Sequence, residues 1–535
     1  MKKNVLALSI TAALVGFGFA GGAQAVALSH ATDASPLLAN SALASSLYAS
    51  PDGIGHFLYV PYFSVQGGNV TMINLVNTDT THGKAVKVRF RGAGNSDDLF
   101  DFQVFLSPGD VWTGNVSKLA SSDPLKNGLA ILNTPDASCT KPAKSKLAGD
   151  HGINDEAFHT ARMNNFRTGD LLANETREGY VEIFNMADIN SGSSLFTAIK
   201  HSAGVAPCTG TAWTNLDTDF DTVGLAALGG LSVPSTGLMG NWIILNATDA
   251  GAWSGPATAI VATNSLRAPS TGQMVYFPQT NATISGVGAN ITKFTADPWL
   301  AVNPTYAMAY DLPDFSIPYV NLQTDPNAQV TALSDVLATT KVINEFLTAS
   351  AINSTTDWVL SMPTRRYNVA WDYFATTPAA VYNTGLTKPY FSPTNTTVID
   401  KQICVKGTTN VSYDQEERTA LGTTDSVIVS PVLPGTVASF VICGEASVLA
   451  FNHGETASST GLVTSASGTL KATVARSAIE NGYSAGWTAI LTPGLAGIGL
   501  PILGYEAVRA TGAVVNGSAA TFGATLPHRT NLLLK

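Results

Sequence analysis

One Gly-x-Ser-x-Gly run, Gly482-Tyr483-Ser484-Ala485-Gly486, offers a serine nucleophile, and Glu506 and His528 follow it in the order of an α/β-hydrolase triad. A nucleophile elbow needs a strand before the serine and a helix after it, so that the hydroxyl stands up at a sharp turn. Here the next residues, "WTAILTP", read as a strand. The three residues also crowd into one short stretch, without the sheet that a hydrolase interposes between them. In a chain with 48 glycines such a run arises readily by chance. There is no H-E-x-x-H, no Walker loop and no complete G-x-G-x-x-G. The motifs therefore read as a non-enzyme, with a secreted serine hydrolase as the enzymatic alternative.

Two acidic clusters could hold a hard cation. Asp217, Asp219 and Asp221 alternate along the chain, which puts three carboxylates on one side of an extended segment, a donor set suited to Ca²⁺. This is no EF-hand, because the sixth position is Thr222 and the twelfth is Leu228. Asn95, Asp97, Asp98 and Asp101 form the second cluster. The alternative for each is an acidic surface turn. Arg365 and Arg366 beside Tyr367, in "TDWVLSMPTRRY", have the types to grip an anionic sugar or a neighbouring subunit, or else form a solvated strand end. His151 and His159, with Asp150, Asp155 and Glu156, read as a solvated loop.

The four cysteines, Cys139, Cys208, Cys404 and Cys443, are an even set. An exported chain would use them as disulfides, and the sequential pairing Cys139–Cys208 and Cys404–Cys443 joins residues close in sequence. None of the spacings is the short C-x₂₋₄-C of a zinc site. Export is the expectation at the start of the chain: Lys2 and Lys3, then an apolar run to Ala20, then Ala23-Gln24-Ala25, read as a Sec signal over residues 1–25. No later stretch of 18 apolar residues is present, so no transmembrane segment is expected. Only 13% of residues are charged, about half the usual share of roughly 25%. The net charge is −9 and no basic patch exists to neutralise phosphates, which excludes a nucleic-acid partner. A hydrophobic share of 45% is enough for a large core.

The elements that must position these residues are mostly strands. In "KAVKVRFRGAGNSDDLFDFQVFLSPGDVW", Val86, Val88 and Phe90 alternate with Lys87, Arg89 and Arg91, the period of a half-buried strand with a charged outer face. "FLYVPYFSV", "NVTMINLVNTD", "FDFQVFL", "GYVEIFNMA", "NWIILNATD", "SVIVSPVL", "VASFVIC" and "ASVLAFN" read as further strands. The clearest helix is "SDVLATTKVINEFLTA", with Ser334 as its N-cap. The fold class that follows is mainly β: an antiparallel β-sandwich, Ig-like or jelly-roll-like, with long loops and a few short helices. Residues 26–50 read as a linker and 51–270 as an N-terminal β-sandwich region with a loop and helix insertion at about 117–178. Residues 271–535 read as a C-terminal β-rich region, across a boundary weak enough for one composite domain. The strands do not recur as ten-residue alternating segments, so an outer-membrane barrel is the lesser alternative.

"NLVNTDTTHGKAVKVRFRGAGNSDDLFDFQVFLSPGDVW", "TDWVLSMPTRRY" and "GLPILGYEAVRATGA...FGATLPHR" resemble a family of secreted cell-surface proteins of Gram-negative bacteria, some described as surface-layer proteins. These segments cover well under half of the chain. The resemblance implies an extracellular, β-rich protein that assembles into a two-dimensional layer, and it carries over no catalytic residue. The expected partners are copies of the chain itself and outer-membrane polysaccharide, with Ca²⁺ as the candidate cofactor. An adhesin or carbohydrate-binding surface protein is the alternative.

Overall fold

The computed structural model describes residues 37–39, 43–147, 157–163, 167–217, 230–280, 294–320, 325–418, 438–454, 466–492, 494–515 and 518–532. The signal at 1–25, the strand expected at "SVIVSPVL" and His151 with its neighbouring acids lie outside them. Strands dominate and the sheets are open, as the alternating and apolar runs predict. In the first half, one sheet orders the strands Ser46–Ala49, Thr258–Thr263, Phe57–Ser64, Glu178–Ile189, Gly83–Gly92, Asp98–Leu106 and Cys139–Lys141. A second orders Gly251–Pro256, Leu238–Asn246, Asn69–Asn77, Val111–Lys118 and Ala130–Asn133. Their inner faces meet through Phe102 against Trp112, 5.3 Å between ring centroids, and through Leu58 against Gly240. The strand Ser46–Ala49 falls inside the stretch read as a linker, and Leu47 is buried there.

The second half repeats the two-layer plan. Ala338–Leu347 and Ala485–Leu491 run in one sheet, Thr355–Ser361, Ala446–Phe451 and Leu503–Val515 in the other. Phe346 stacks on Phe451 at 5.3 Å, and Trp358 packs on the same ring at 5.0 Å. The two halves meet in one large core cluster, and a second cluster lies within the second half. Trp242 stacks on Tyr505 at 4.4 Å, Asn69 Nδ2 donates to Leu470 O at 2.7 Å, and Thr473 N donates to Glu178 Oε1 at 2.6 Å. The weak boundary near residue 270 is thus crossed by continuous packing. Among the described residues, no helix is long and apolar enough to cross a membrane.

The helix expected over 334–349 is corrected. The helix runs Pro326–Leu337, and Ala338–Leu347 is a strand. The start signal is Asp325, whose carboxylate accepts from Ala328 N at 2.9 Å ahead of Pro326 in the first turn. Ser334 lies inside the helix and donates to Thr364 Oγ1. Beyond Leu337 the β-branched Thr339, Thr340, Val342 and Ile343 favour extended backbone. The burial of Val342, Asn344 and Phe346 then has the period of two that a strand requires.

Both disulfides form in the sequential pairing, Cys139–Cys208 and Cys404–Cys443. Cys404 and Cys443 are direct cross-strand partners, which brings their Cα atoms to 3.9 Å.

Candidate functional site

The strand Gly83–Gly92 is buried along its whole length, and here the expected solvated charged face is overturned. Lys84, Lys87, Arg89 and Arg91 are each at most 2% exposed. The register explains how four cations survive inside. Residues directly opposite in an antiparallel ladder share a face, so Glu182, Arg89 and Asp101 form one row across three strands. Arg91 Nε donates to Glu182 at 2.9 Å. Lys87 Nζ pairs with Asp101 and donates to Gln279 Oε1 at 2.7 Å. Lys84 Nζ reaches Asp188 at 2.8 Å and Asp79 at 3.3 Å. Gly179 lets the strands close: a Cβ there would lie 1.7 Å from the Arg91 carbonyl oxygen.

A second layer covers this face. Tyr310 O accepts from Lys87 and Arg89, and Pro313 O accepts from Arg89 Nη1 at 3.2 Å. The turn Arg365–Tyr367 closes the other side, and all three of its residues are buried. Arg365 pairs with Glu445 at 3.0 Å, Arg366 pairs with Asp297, and Arg366 Nη1 donates to Ser96 O at 2.6 Å. Tyr367 Oη accepts from Phe315 N. Neither an exposed grip for a sugar nor a solvated strand end, the three lie in the interior, and Arg365 and Arg366 brace the two halves of the chain through the carbonyl oxygens of Gly94 and Ser96.

The acids offered to calcium at 97–101 meet the protein's own cations and hydrogen-bond donors. Asp101 serves Lys87 and Gln279, Asp98 lies 3.7 Å from Arg89 Nε, and Asp97 accepts from Tyr373 Oη at 3.0 Å. Burial opposes ionisation of Asp98, but Arg89 and Arg91 outweigh it and hold this carboxyl below its ordinary range. Asp97 is pushed up to about 7 by burial, with Tyr373 and Arg366 opposing. Burial also lowers Lys87, to about 8, against the pull of Asp101. Asp217 pairs with Lys141; Asp219 and Asp221 lie outside the described residues. Asp79, His82 and Asp188 bring ligand atoms together, yet Lys84 Nζ bonds to both acids at that point.

The hydrolase residues are not gathered as a triad. Ser484 is exposed at the mouth of a strand, where an elbow would need a helix. His528 Nδ1 lies 3.1 Å from Asn344 Nδ2, and its Nε2 lies 2.9 Å from Val359 O, so both ring nitrogens have partners away from Ser484.

Beside the ionic layer opens a pocket of about 360 Å³. Asp98, Asp101, Arg162 and Gln279 provide polar groups, while Phe100, His159 and Tyr310 provide rings. Arg162 pairs with Asp311 and lies 5.4 Å from the Tyr310 ring centre. Sequence reasoning found Asp98 and Asp101 but missed Arg162, Gln279 and Tyr310. The acids at Glu178 and Glu182 in "EGYVEIF" were a legible complement to the basic strand; nothing in the sequence ties Gln279 or Tyr310 to it. No protein-family model matches the chain, and no curated protein or solved structure matches it significantly.

Proposed function

We propose that this is an exported, non-enzymatic protein of the Gram-negative cell surface that self-assembles as a component of a surface layer. The supporting observation is where the charge goes. A sequence already poor in charge places Lys84, Lys87, Arg89 and Arg91, with Glu182 and Asp188, in its interior. Arg365, Arg366 and Glu445 follow them inside. Less charge is left outside, and the stretches of hydroxyl, amide and small apolar groups between the remaining charges are surfaces on which copies can pack. Two disulfides suit an oxidising compartment. Sedimentation across protein concentration tests this reading: assembly should grow with concentration. A monomer at every concentration contradicts it.

The carbohydrate-binding alternative draws on a different place. Tyr413 and Trp487 stack at 4.6 Å with their planes 12° apart, and Trp487 is 40% exposed. Exposed rings of this kind suit the apolar face of a sugar. Calcium belongs to the proposal through the 217–221 run. Replacing Asp217, Asp219 and Asp221 by Ala should lower the melting temperature only in calcium-containing buffer, and an equal effect without calcium removes the ion from the account.

A further inference from the structure

Four buried polar atoms without hydrogen-bond partners among the described residues surround one small chamber. Asp98 and Arg162 line both the 360 Å³ pocket and a second chamber of about 20 Å³ behind it. Trp299, Trp371 and Arg366 also line the chamber, with Asn95, Asp97 and Tyr373. The indole nitrogens of Trp299 and Trp371, Arg366 Nε and Asp98 Oδ1 are all buried and unpartnered. So is Thr280 Oγ1 at the wall of the larger pocket. Native proteins satisfy nearly all such groups. A space of that size with several such groups around it suits one buried water, and the unpartnered atoms that belong to the larger pocket are Asp98 Oδ1 and Thr280 Oγ1.

The lining narrows what enters. Phe100 and His159 are near parallel, 15° apart with centroids 6.4 Å apart, and with Leu99, Pro142 and Tyr310 they give the pocket an apolar side. The opposite side carries carboxylate, amide, guanidinium and hydroxyl groups. Its charges are already matched, Lys87 with Asp101, Arg89 with Asp98 and Arg162 with Asp311. An anion such as phosphate would meet two carboxylates, and a cation would meet the guanidinium of Arg162. A neutral molecule with one apolar face and several hydroxyls meets neither penalty. A volume of this size falls within the roughly 300–1,000 Å³ of small-molecule sites.

We propose that this pocket binds a neutral saccharide, with its ring against the aromatic wall and its hydroxyls on Asp98, Gln279 and Thr280. The inference gives the polysaccharide partner a site, resting on that part of the functional reading and not on the layer. The test is titration calorimetry of the whole protein with glucose, galactose, mannose, N-acetylglucosamine and their disaccharides, with glucuronate and inorganic phosphate alongside. At least one neutral sugar should bind, and His159→Ala and Asp98→Asn should each weaken it about tenfold or more. His159 is exposed, so its replacement leaves the fold intact and keeps the test valid if Asp98→Asn destabilises. Absence of neutral-sugar binding to the folded protein overturns the proposal. So does binding unchanged in His159→Ala, or tighter binding of glucuronate or phosphate. Sedimentation of the same samples separates the two claims: assembly without sugar binding removes the pocket proposal alone, and sugar binding without assembly removes the layer alone.

Discussion

Three cations on one face of a single strand, Lys87, Arg89 and Arg91, repel one another and lose their hydration when that face is covered. Arg91 and Glu182 show how the cost is offset, through a 2.9 Å pair held between neighbouring strands. Removing one member leaves the other charged and buried. Arg91→Met should therefore destabilise by roughly 3–5 kcal/mol in chemical denaturation, and the double change Arg91→Met with Glu182→Leu by much less. Equal losses in the two variants would contradict the pairing. Buried carboxyls set the pH response. Burial pushes Glu175 up to about 8 against Arg167, and Glu506 also to about 8 beside Glu345. Each keeps its proton in the fold where the unfolded chain has lost it, so its contribution is full below the unfolded value and is lost as pH rises towards 8. His56 and His528, pushed down by burial to about 3 and about 4, act in the opposite sense but only below their unfolded value of about 6.5. Stability should accordingly fall between pH 6.5 and 8, and Glu175→Gln should flatten that fall in melting-temperature scans. An unchanged slope would remove Glu175 from the account. At this scale the sequence shows which residues alternate. It cannot show that a second layer, through Tyr310 and Pro313, covers the charged side, because alternation records two faces and not what lies on each.

The strands that hold Cys404 and Cys443 are direct partners, so this disulfide staples a ladder that hydrogen bonds already define. Cys404→Ser with Cys443→Ser should cost about 2–4 kcal/mol. A loss within the error of the denaturation curve would show that the ladder suffices. The sequential pairing was legible because each pair lies close in the chain and next to strand-like residues. The helix at 334 was misplaced because Leu333, Val336, Leu337, Ile343, Phe346 and Leu347 approximate a helical stripe across what are two elements. The stronger signals were local: Asp325 with Pro326 as a start, then a β-branched run as a stop. Ser484 was correctly read as preceding a strand, since "WTAIL" has no helical pattern.

Across the whole molecule, two stacked pairs of sheets meet in one large core cluster beside a smaller one in the second half, and ion pairs fasten neighbouring strands of the first sheet. Composition foreshadowed the mainly β class, but the joining of the halves depends on long-range contacts such as Trp242 with Tyr505, which no local pattern encodes. The proposed assembly rests on charge held inside the fold, and a layer demands contacts that propagate instead of closing. The most direct measurement is electron microscopy of the purified protein, with and without calcium, alongside the envelope of cells that make it. The account predicts a periodic two-dimensional array in both; dispersed single particles, with no lattice on the envelope, would contradict it.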